Sequence, residues 1–195
     1  ALEADRPEFR TNDGRSDPAG GFWIGVMGRR AESGLGAIWR FADGRLDKLF
    51  GDMTIPNAIA FSPDGSTGYF ADSAQGRIWR TALGADGRPL GEPELFAELD
   101  DAAPDGAVCD SEGCLWNAQW DGARLARYRP DGTVDRVQPL PATRPTIPAF
   151  GGAGLRRLFV ATAREGLSAP GPADGAILAL EPGVAGLPEP AVRLG

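Results

Sequence analysis

Histidine is absent from this chain of 195 residues, and cysteine occurs only twice, as Cys109 and Cys114. The lack of histidine excludes a serine–histidine–aspartate triad and any histidine-ligated metal within the chain. The spacing of the two cysteines fits neither a C-x-x-C metal knuckle nor a disulfide-rich scaffold, so two free thiols are expected. Catalysis by this chain would therefore use carboxylates, amides and arginines, with or without a hard metal ion.

Long apolar runs and an excess of positive charge are also missing. The sequence has no stretch of about 18 apolar residues, and its first ten residues resemble neither a signal peptide nor a transit sequence. A net charge of −7 and a pI near 4.7 argue against a surface that binds phosphate backbones or anionic membranes. We therefore expect a cytoplasmic protein with a small-molecule partner and with no nucleic-acid or membrane partner.

Glycine and proline are abundant instead, with 28 Gly and 17 Pro, and they favour short strands over long helices. Four segments each pair a Gly-containing turn with a short apolar strand, at 17–27, 62–73, 110–120 and 151–163. Alignment on Trp23, Phe70, Trp116 and Phe159 gives spacings of 47, 46 and 43 residues, the period of one four-stranded propeller blade. Further apolar strands fill the intervals, at 36–41, 76–81, 123–129 and 175–180. The sequence predicts an all-β propeller of four-stranded antiparallel blades, with about four blades in a single domain of residues 1–195.

Polar residues recur with the same period at the predicted inner strands. Asn12, Asn57 and Asp105 are 45 and 48 residues apart. Since the inner strands of successive blades surround one channel, these residues are expected at the same channel end. Amide and carboxylate oxygens suit a hard cation such as Ca²⁺, Mg²⁺ or Mn²⁺, whereas Zn²⁺ more often recruits His or Cys. Taken singly, each residue is also explained by a turn, as Asp64 and Asp131 are in their Pro-Asp-Gly sequences.

Four segments make a family resemblance specific: RTNDGRSDPAGGFWIGVM, IPNAIAFSPDG, APDGAVCDSEGCLWNA and PTIPAFGGAGLRRLFVATAREGL. In order and separation they resemble the signature segments of the regucalcin, gluconolactonase and luciferin-regenerating-enzyme family, from about residue 9 to 180. The resemblance implies a six-bladed propeller that hydrolyses a sugar lactone with one divalent metal ion (Ca, Zn, Mg or Mn) at the channel mouth. Since four blades are few for a closed ring, the N-terminal blades are expected to be missing from this chain.

The resemblance also implies roles for individual residues. Asn57 and Asp105 match the family's metal-ligating Asn and Asp, and Asp105 would in addition be the catalytic general base. Arg10 and Asn12 match the substrate-binding Arg and Asn. The family's third ligand, a Glu, comes from a blade that this chain lacks, and neither Glu3 nor Glu8 stands in its place. Ala58 occupies a position where the family usually has Gly.

The remaining polar residues have simpler interpretations. Structural hydrogen bonding is expected for Asp72 and Asn117, and solvated loop charge for Arg29 and Arg30. Trp120 is expected to pack between blades.

Two rival functions remain open. One is a non-catalytic propeller that binds a metal or ligand, which the missing Glu favours. The other is a different esterase or a phosphotriesterase, for which richer acidic ligation is expected.

Overall fold

The chain is all-β. A computed structural model describes residues 2–194 and contains fifteen strands in four antiparallel sheets. Two short 3₁₀ turns, Ser73–Gln75 and Ala153–Leu155, accompany them. Within residues 2–194, no helix has the length and apolar character needed to cross a membrane.

Each sheet is one blade, and its strands follow one another in chain order. Blade 1 contains β1 (Phe9–Ser16), β2 (Phe22–Gly28), β3 (Gly36–Ala42) and β4 (Arg45–Met53). Blade 2 contains β5 (Pro56–Phe61), β6 (Thr67–Asp72), β7 (Arg77–Ala82) and β8 (Glu94–Glu98). Blade 3 contains β9 (Ala103–Cys109), β10 (Leu115–Trp120), β11 (Arg124–Tyr128) and β12 (Val134–Pro139). Blade 4 contains β13 (Pro145–Gly151), β14 (Arg157–Thr162) and β15 (Ile177–Leu180). The predicted propeller of four blades is confirmed, although blade 4 has three strands in the described part.

The first strand of every blade lies innermost. β5 contacts β1 on one side and β9 on the other, and β9 also contacts β13. All six residues of β5 are buried, whereas most of the outer strand β12 is exposed. The inner strands therefore surround a common channel, as the blade repeat predicts.

Apolar side chains from facing blades form one hydrophobic cluster at each blade interface. Between blades 1 and 2, Trp23 packs edge-on against Phe61 with ring centroids 5.2 Å apart. Between blades 2 and 3, Phe96 contacts both Tyr69 and Tyr128. Between blades 3 and 4, Trp116 packs in a cluster with Leu158 and Val160. Burial of these large side chains, at about 25 cal/mol per Å² of apolar surface, holds successive blades together.

Glycines with positive φ mark the turn that follows each inner strand: Gly20, Gly65, Gly113 and Gly154. These glycines are the structurally equivalent points of the repeat, because L-residues with a side chain rarely adopt this conformation. Phe70 and Phe159 each lie two residues further beyond the glycine of their own blade than Trp23 and Trp116 lie beyond theirs. The alignment on aromatic residues was therefore wrong by two residues in blades 2 and 4. Because side chains alternate between the two faces of a strand, a shift of two residues keeps the aromatic side chain on the same face. The shifted alignment therefore shows the same sequence pattern as the correct one.

A buried aspartate holds this turn to the third strand in blades 1 and 3. Asp17 accepts from Arg40 Nε at 2.5 Å and from the Gly21 amide at 2.9 Å. Asp110 accepts from Arg127 Nε and from Trp116 Nε1, both at 2.8 Å. The carboxylates of both aspartates are fully buried. Each ion pair therefore fixes a turn and the adjacent strands in an interior where an unpaired charge would be costly.

Loss of the Asp110 charge should destabilise the fold strongly. We expect Asp110→Asn to lower the free energy of unfolding by roughly 3 kcal/mol, since it leaves a buried arginine without its inner partner. Glu112, whose side chain is 66% exposed, pairs with the same Arg127 and provides the control. Glu112→Gln should cost less than about 1 kcal/mol. Urea unfolding measures both, and equal losses in the two variants would contradict the assignment.

Candidate functional site at the channel mouth

A β-bulge interrupts the pairing of each inner strand near the start of the strand. Asn12, Asp105 and Thr146 lie within these bulges, and Asn57 lies directly before its own. All four residues stand eight positions before the positive-φ glycine of the following turn. A bulge redirects a side chain that regular pairing would hold in the sheet. One polar residue per blade is thereby brought to the same end of the channel.

A cavity of about 710 Å³ lies at this end, where the inner strands begin and the second strands end. Arg10, Asn12, Asn57 and Asp105 all line it. The structure therefore brings together, from three different blades, the four residues singled out in the sequence. Their roles are a separate matter, argued below.

A directed chain of hydrogen bonds connects these residues. Arg10 Nη1 donates to Asn12 Oδ1 at 2.8 Å, and Asn12 Nδ2 donates to Asn57 Oδ1 at 3.0 Å. Asn57 Nδ2 donates to Ser73 Oγ at 2.8 Å, and Ser73 Oγ donates to the Pro104 carbonyl at 2.6 Å. Because Ser73 and the Pro104 carbonyl occupy the nitrogen side of the Asn57 amide, its oxygen is left on the side of Asn12 and the cavity.

Asp105 contributes a half-buried carboxylate to the cavity. Burial raises its pKa to about 7, and the neighbouring Asp13 carboxylate adds to this shift. No arginine or lysine within residues 2–194 forms an ion pair with Asp105. The backbone beneath it is fixed by Asn117 Nδ2, which donates to the Asp105 carbonyl at 2.9 Å and to the Gly106 carbonyl at 3.3 Å. Asp105 is thus held in place while its charge remains uncompensated by the protein.

Asp13 lies deeper in the channel than its neighbour Asn12. Its carboxylate accepts from the Ile59 amide and from the Gly14 amide, both at 2.8 Å. Burial raises the pKa of Asp13, and these amides together with Arg15 oppose the shift. Below it, Arg15 donates to the carbonyls of Ile59 and Ala107, both at 3.0 Å, and so links three inner strands. Two neighbouring half-buried carboxylates, Asp13 and Asp105, both with a raised pKa, make this end of the channel favourable for a cation.

The donor set fits a hard divalent cation. The Asn57 amide oxygen and the Asp105 carboxylate are oxygen ligands of the kind that Ca²⁺, Mg²⁺ and Mn²⁺ prefer. A cation there would offset the charge of Asp105, with which no arginine or lysine of residues 2–194 forms an ion pair. Among the described residues, no cluster of three or more His, Cys, Asp or Glu side chains completes such a site. The described chain therefore offers two protein ligands, one amide and one carboxylate.

Several residues of the cavity wall were not found from the sequence. Thr146 completes the set of four bulge residues, but its Thr-Ile-Pro context carries no turn signal comparable to Pro-Asn or Pro-Asp. Trp120 also lines the cavity, and the guanidinium of Arg144, which directly precedes β13 of blade 4, lies 4.9 Å from its ring centroid. Arg29 and Arg30, interpreted as solvated loop charge, are exposed but belong to the cavity wall.

Asp72 forms structural hydrogen bonds to the backbone, as predicted. It is fully buried and accepts from the Thr54 amide at 2.8 Å and from the Ile55 amide at 2.9 Å. The Gln75 side chain donates to the same carboxylate at 3.0 Å. Asp72 therefore stabilises the loop that enters β5 just before Asn57.

A second cavity, of about 620 Å³, lies near the turns of blades 2 and 3. Three of its charged groups are already engaged: Asp64 accepts from Ser62 and Ser66, and Arg80 pairs with Glu94. These hydrogen bonds lower the pKa of the exposed Asp64 to about 2. The predicted structural role of Asp64 agrees with these contacts, and the channel mouth remains the better candidate site.

Blades arranged around a channel, with polar bulge residues converging on a cavity at its mouth, define a β-propeller with a channel-mouth site. The sequence profile of the SMP-30/gluconolactonase/LRE-like region matches residues 1–164. The chain belongs to this family.

Its relatives include proteins named as lactonases. The chain is 43% identical over 97% of its length to a putative sugar lactone lactonase of Rhizobium meliloti, of which it covers 67%. It is 41% identical over 93% of its length to the 6-deoxy-6-sulfogluconolactonase of Pseudomonas putida, of which it covers 65%. A crystal structure of regucalcin from Agrobacterium tumefaciens, described as a calcium-binding protein, superimposes with a TM-score of 0.94 at 44% identity. That comparison covers 99% of this chain and 68% of the other. The chain thus spans about two thirds of the length of these relatives.

Ala58 is a strained residue beside Asn57. It is fully buried and has a φ of 54°, a conformation that glycine adopts more readily. Glycine in place of Ala58 would remove the penalty for a left-handed conformation, about 1–2 kcal/mol, and so stabilise the fold. It would also lose the burial of one methyl group, about 0.8 kcal/mol, and give the unfolded chain more conformational freedom, and both effects destabilise the fold. We therefore expect Ala58→Gly to change the free energy of unfolding by less than about 1 kcal/mol.

Ala58→Val should be far more damaging. A β-branched residue at positive φ adds backbone strain to overpacking, for a loss of roughly 3 kcal/mol. Thermal or urea unfolding of both variants checks the pair. A valine variant as stable as the glycine variant would show that this bulge does not require its left-handed conformation.

Proposed function

We propose that the protein hydrolyses a sugar lactone to the aldonic acid, with a divalent cation held at the channel mouth. The observation that carries this proposal is the half-buried Asp105 carboxylate, which lines the same cavity as Asn57 and forms no ion pair with an arginine or lysine of residues 2–194. The lactonase names of two relatives above 40% identity support the reaction, and the calcium-binding description of the similar crystal structure supports the cation.

The proposed metal ligands within this chain are Asn57 Oδ1 and the Asp105 carboxylate. A divalent cation bound by them supplies Lewis-acid polarisation of the lactone carbonyl. The hydrogen bond from Asn57 Nδ2 to Ser73 keeps the amide oxygen toward the cation.

Asp105 is proposed as the general base. It takes a proton from the water that attacks the carbonyl carbon, and it returns this proton to the ring oxygen when the carbon–oxygen bond of the ester breaks. The carboxylic acid product then ionises to solvent. In the cation-free protein the pKa of Asp105 is raised to about 7. The ionised form of Asp105 is the form that accepts a proton, and a bound cation would favour it.

Arg10 and Asn12 are proposed to orient the sugar. Arg10 is exposed at the mouth, and its Nη1 donates to Asn12 Oδ1 and to the Thr11 carbonyl. Its other N–H groups therefore remain for substrate hydroxyls. Both amide hydrogens of Asn12 are used, by the Pro56 carbonyl and Asn57 Oδ1, so Asn12 would receive substrate through its oxygen. Orientation by such contacts lowers the entropic cost of bringing water and carbonyl together.

Removal of the Asp105 carboxylate tests the proposal directly. We expect purified protein to release protons from aldonolactones with added divalent metal and to lose this activity with a chelator. Asp105→Ala should lower kcat/KM by about 100-fold or more, since general-base catalysis is typically worth 10²–10⁴. Asp131→Ala, in a Pro-Asp-Gly turn outside the cavity, is the control and should retain the rate. Full activity of Asp105→Ala would refute the assignment.

Ser73 should act through Asn57. We expect Ser73→Ala to weaken metal binding about tenfold, because the amide of Asn57 is then free to rotate its nitrogen into the cavity. Calorimetric metal titration measures the affinity, and Ser73→Thr, which keeps the hydroxyl, should restore most of it. Ser66→Ala, at an exposed turn, provides a matched control. Unchanged affinity in Ser73→Ala would show that Asn57 does not depend on this hydrogen bond.

A non-catalytic metal- or ligand-binding propeller is the second candidate, because the described residues offer only two protein ligands. Tight metal binding without turnover of any lactone would favour it. The poor supply of carboxylates at the mouth gives a phosphotriesterase less support.

A further inference from the structure

The cavity wall is positively charged in a protein whose net charge is −7. Four arginines line the cavity, Arg10, Arg29, Arg30 and Arg144, against two acidic residues, Asp105 and Glu165. A positively charged cavity mouth on a negatively charged protein concentrates the electrostatic field at the point where a ligand enters. A neutral sugar lactone does not require this arrangement.

Two of the four arginines are held by the protein. Arg10 donates to Asn12 Oδ1 and to the Thr11 carbonyl. Arg144 donates to Asp121 Oδ1 at 2.6 Å and also to the Glu165 carbonyl. Their guanidinium groups are therefore partly satisfied before any ligand binds.

Arg29 and Arg30 belong to a tight loop after β2. The Ala31 amide donates to the Gly28 carbonyl at 3.0 Å, and the Arg29 amide donates to the Glu8 carbonyl at 2.8 Å. Arg29 Nε donates to the Pro7 carbonyl at 2.7 Å, which leaves both of its terminal nitrogens unused. The backbone that presents these side chains is thus well fixed.

Arg30 has no side-chain partner within residues 2–194. The nearest acidic residue in sequence, Glu32, accepts from the Arg30 backbone amide at 3.1 Å and forms no ion pair with the guanidinium. Glu32 therefore shapes the loop without satisfying the arginine. A guanidinium carries five N–H donors in a planar fork that matches carboxylate, sulfonate and phosphate oxygens.

We propose that Arg30, with the terminal nitrogens of Arg29, binds an anionic substituent of the substrate. The preferred substrate would be a sugar lactone that bears a carboxylate, sulfonate or phosphate group remote from the reacting carbonyl. This inference rests on the proposed lactonase function. The reacting carbonyl would lie at Asn57 and Asp105 while the anionic group reaches the loop of Arg29 and Arg30.

Paired lactones test the preference. We expect kcat/KM for 6-phosphogluconolactone to exceed that for gluconolactone about tenfold or more, and the ratio to fall as salt is added. Arg30→Gln should lower this ratio about tenfold. Arg156→Gln removes an exposed arginine that has no ion pair and lies outside the cavity, and it should leave the ratio unchanged. A wild-type ratio near one, or an equal loss on both lactones in Arg30→Gln, would overturn the inference.

A binding measurement separates this inference from the lactonase proposal. Calorimetry compares glucose 6-phosphate with glucose, and inorganic phosphate serves as a third probe. Tighter binding of the sugar phosphate that Arg30→Gln abolishes would support the anion site even if no lactone were hydrolysed. Equal binding of the two sugars would refute it. Equally tight binding of inorganic phosphate alone would also count against it, because the sugar would then contribute nothing.

Discussion

An extra residue in each inner strand is the constraint on which the rest of the site depends. In a regular strand, successive side chains point to alternate faces of the sheet, so the side chains of Asn12, Asn57, Asp105 and Thr146 would each point to one face of their own blade. The bulges interrupt the pairing at or next to these residues, at one end of every blade. Four blades then contribute one polar side chain each to the same cavity. Equivalent positions of successive blades therefore place their polar side chains around the same channel.

The bulges persist because the surrounding structure holds them. Ala58 stays at positive φ since it is enclosed by the cluster between blades 2 and 3. Asn117 donates to both carbonyls of the Asp105–Gly106 bulge, and the Ile59 amide donates to Asp13 on the neighbouring inner strand. Strain near the site is therefore balanced by hydrogen bonds from neighbouring strands and blades. Stability is concentrated at blade interfaces and in the buried Asp17 and Asp110 pairs, away from the mouth.

Charge is distributed unevenly along the channel. Two half-buried carboxylates, Asp105 and Asp13, lie near one end of the inner strands, whereas Arg10, Arg29, Arg30 and Arg144 line the cavity at the channel mouth. This division of charge is the physical basis for the two proposals above, a cation near the carboxylates and an anionic group of the substrate near the arginines.

The sequence by itself determined the all-β class, the blade period and the four residues Arg10, Asn12, Asn57 and Asp105, because a repeat places equivalent residues at equal spacing. It did not identify Thr146, whose Thr-Ile-Pro context lacks a turn signal, or Trp120 and Arg144, which meet the cavity from other strands and loops. It also did not decide whether Arg29 and Arg30 belong to the site, since loop charge looks the same in a sequence whether it faces bulk solvent or a cavity. Only the tertiary structure decided these points. Spatial proximity between blades depends on how sheets pack, and no local pattern of residues records it.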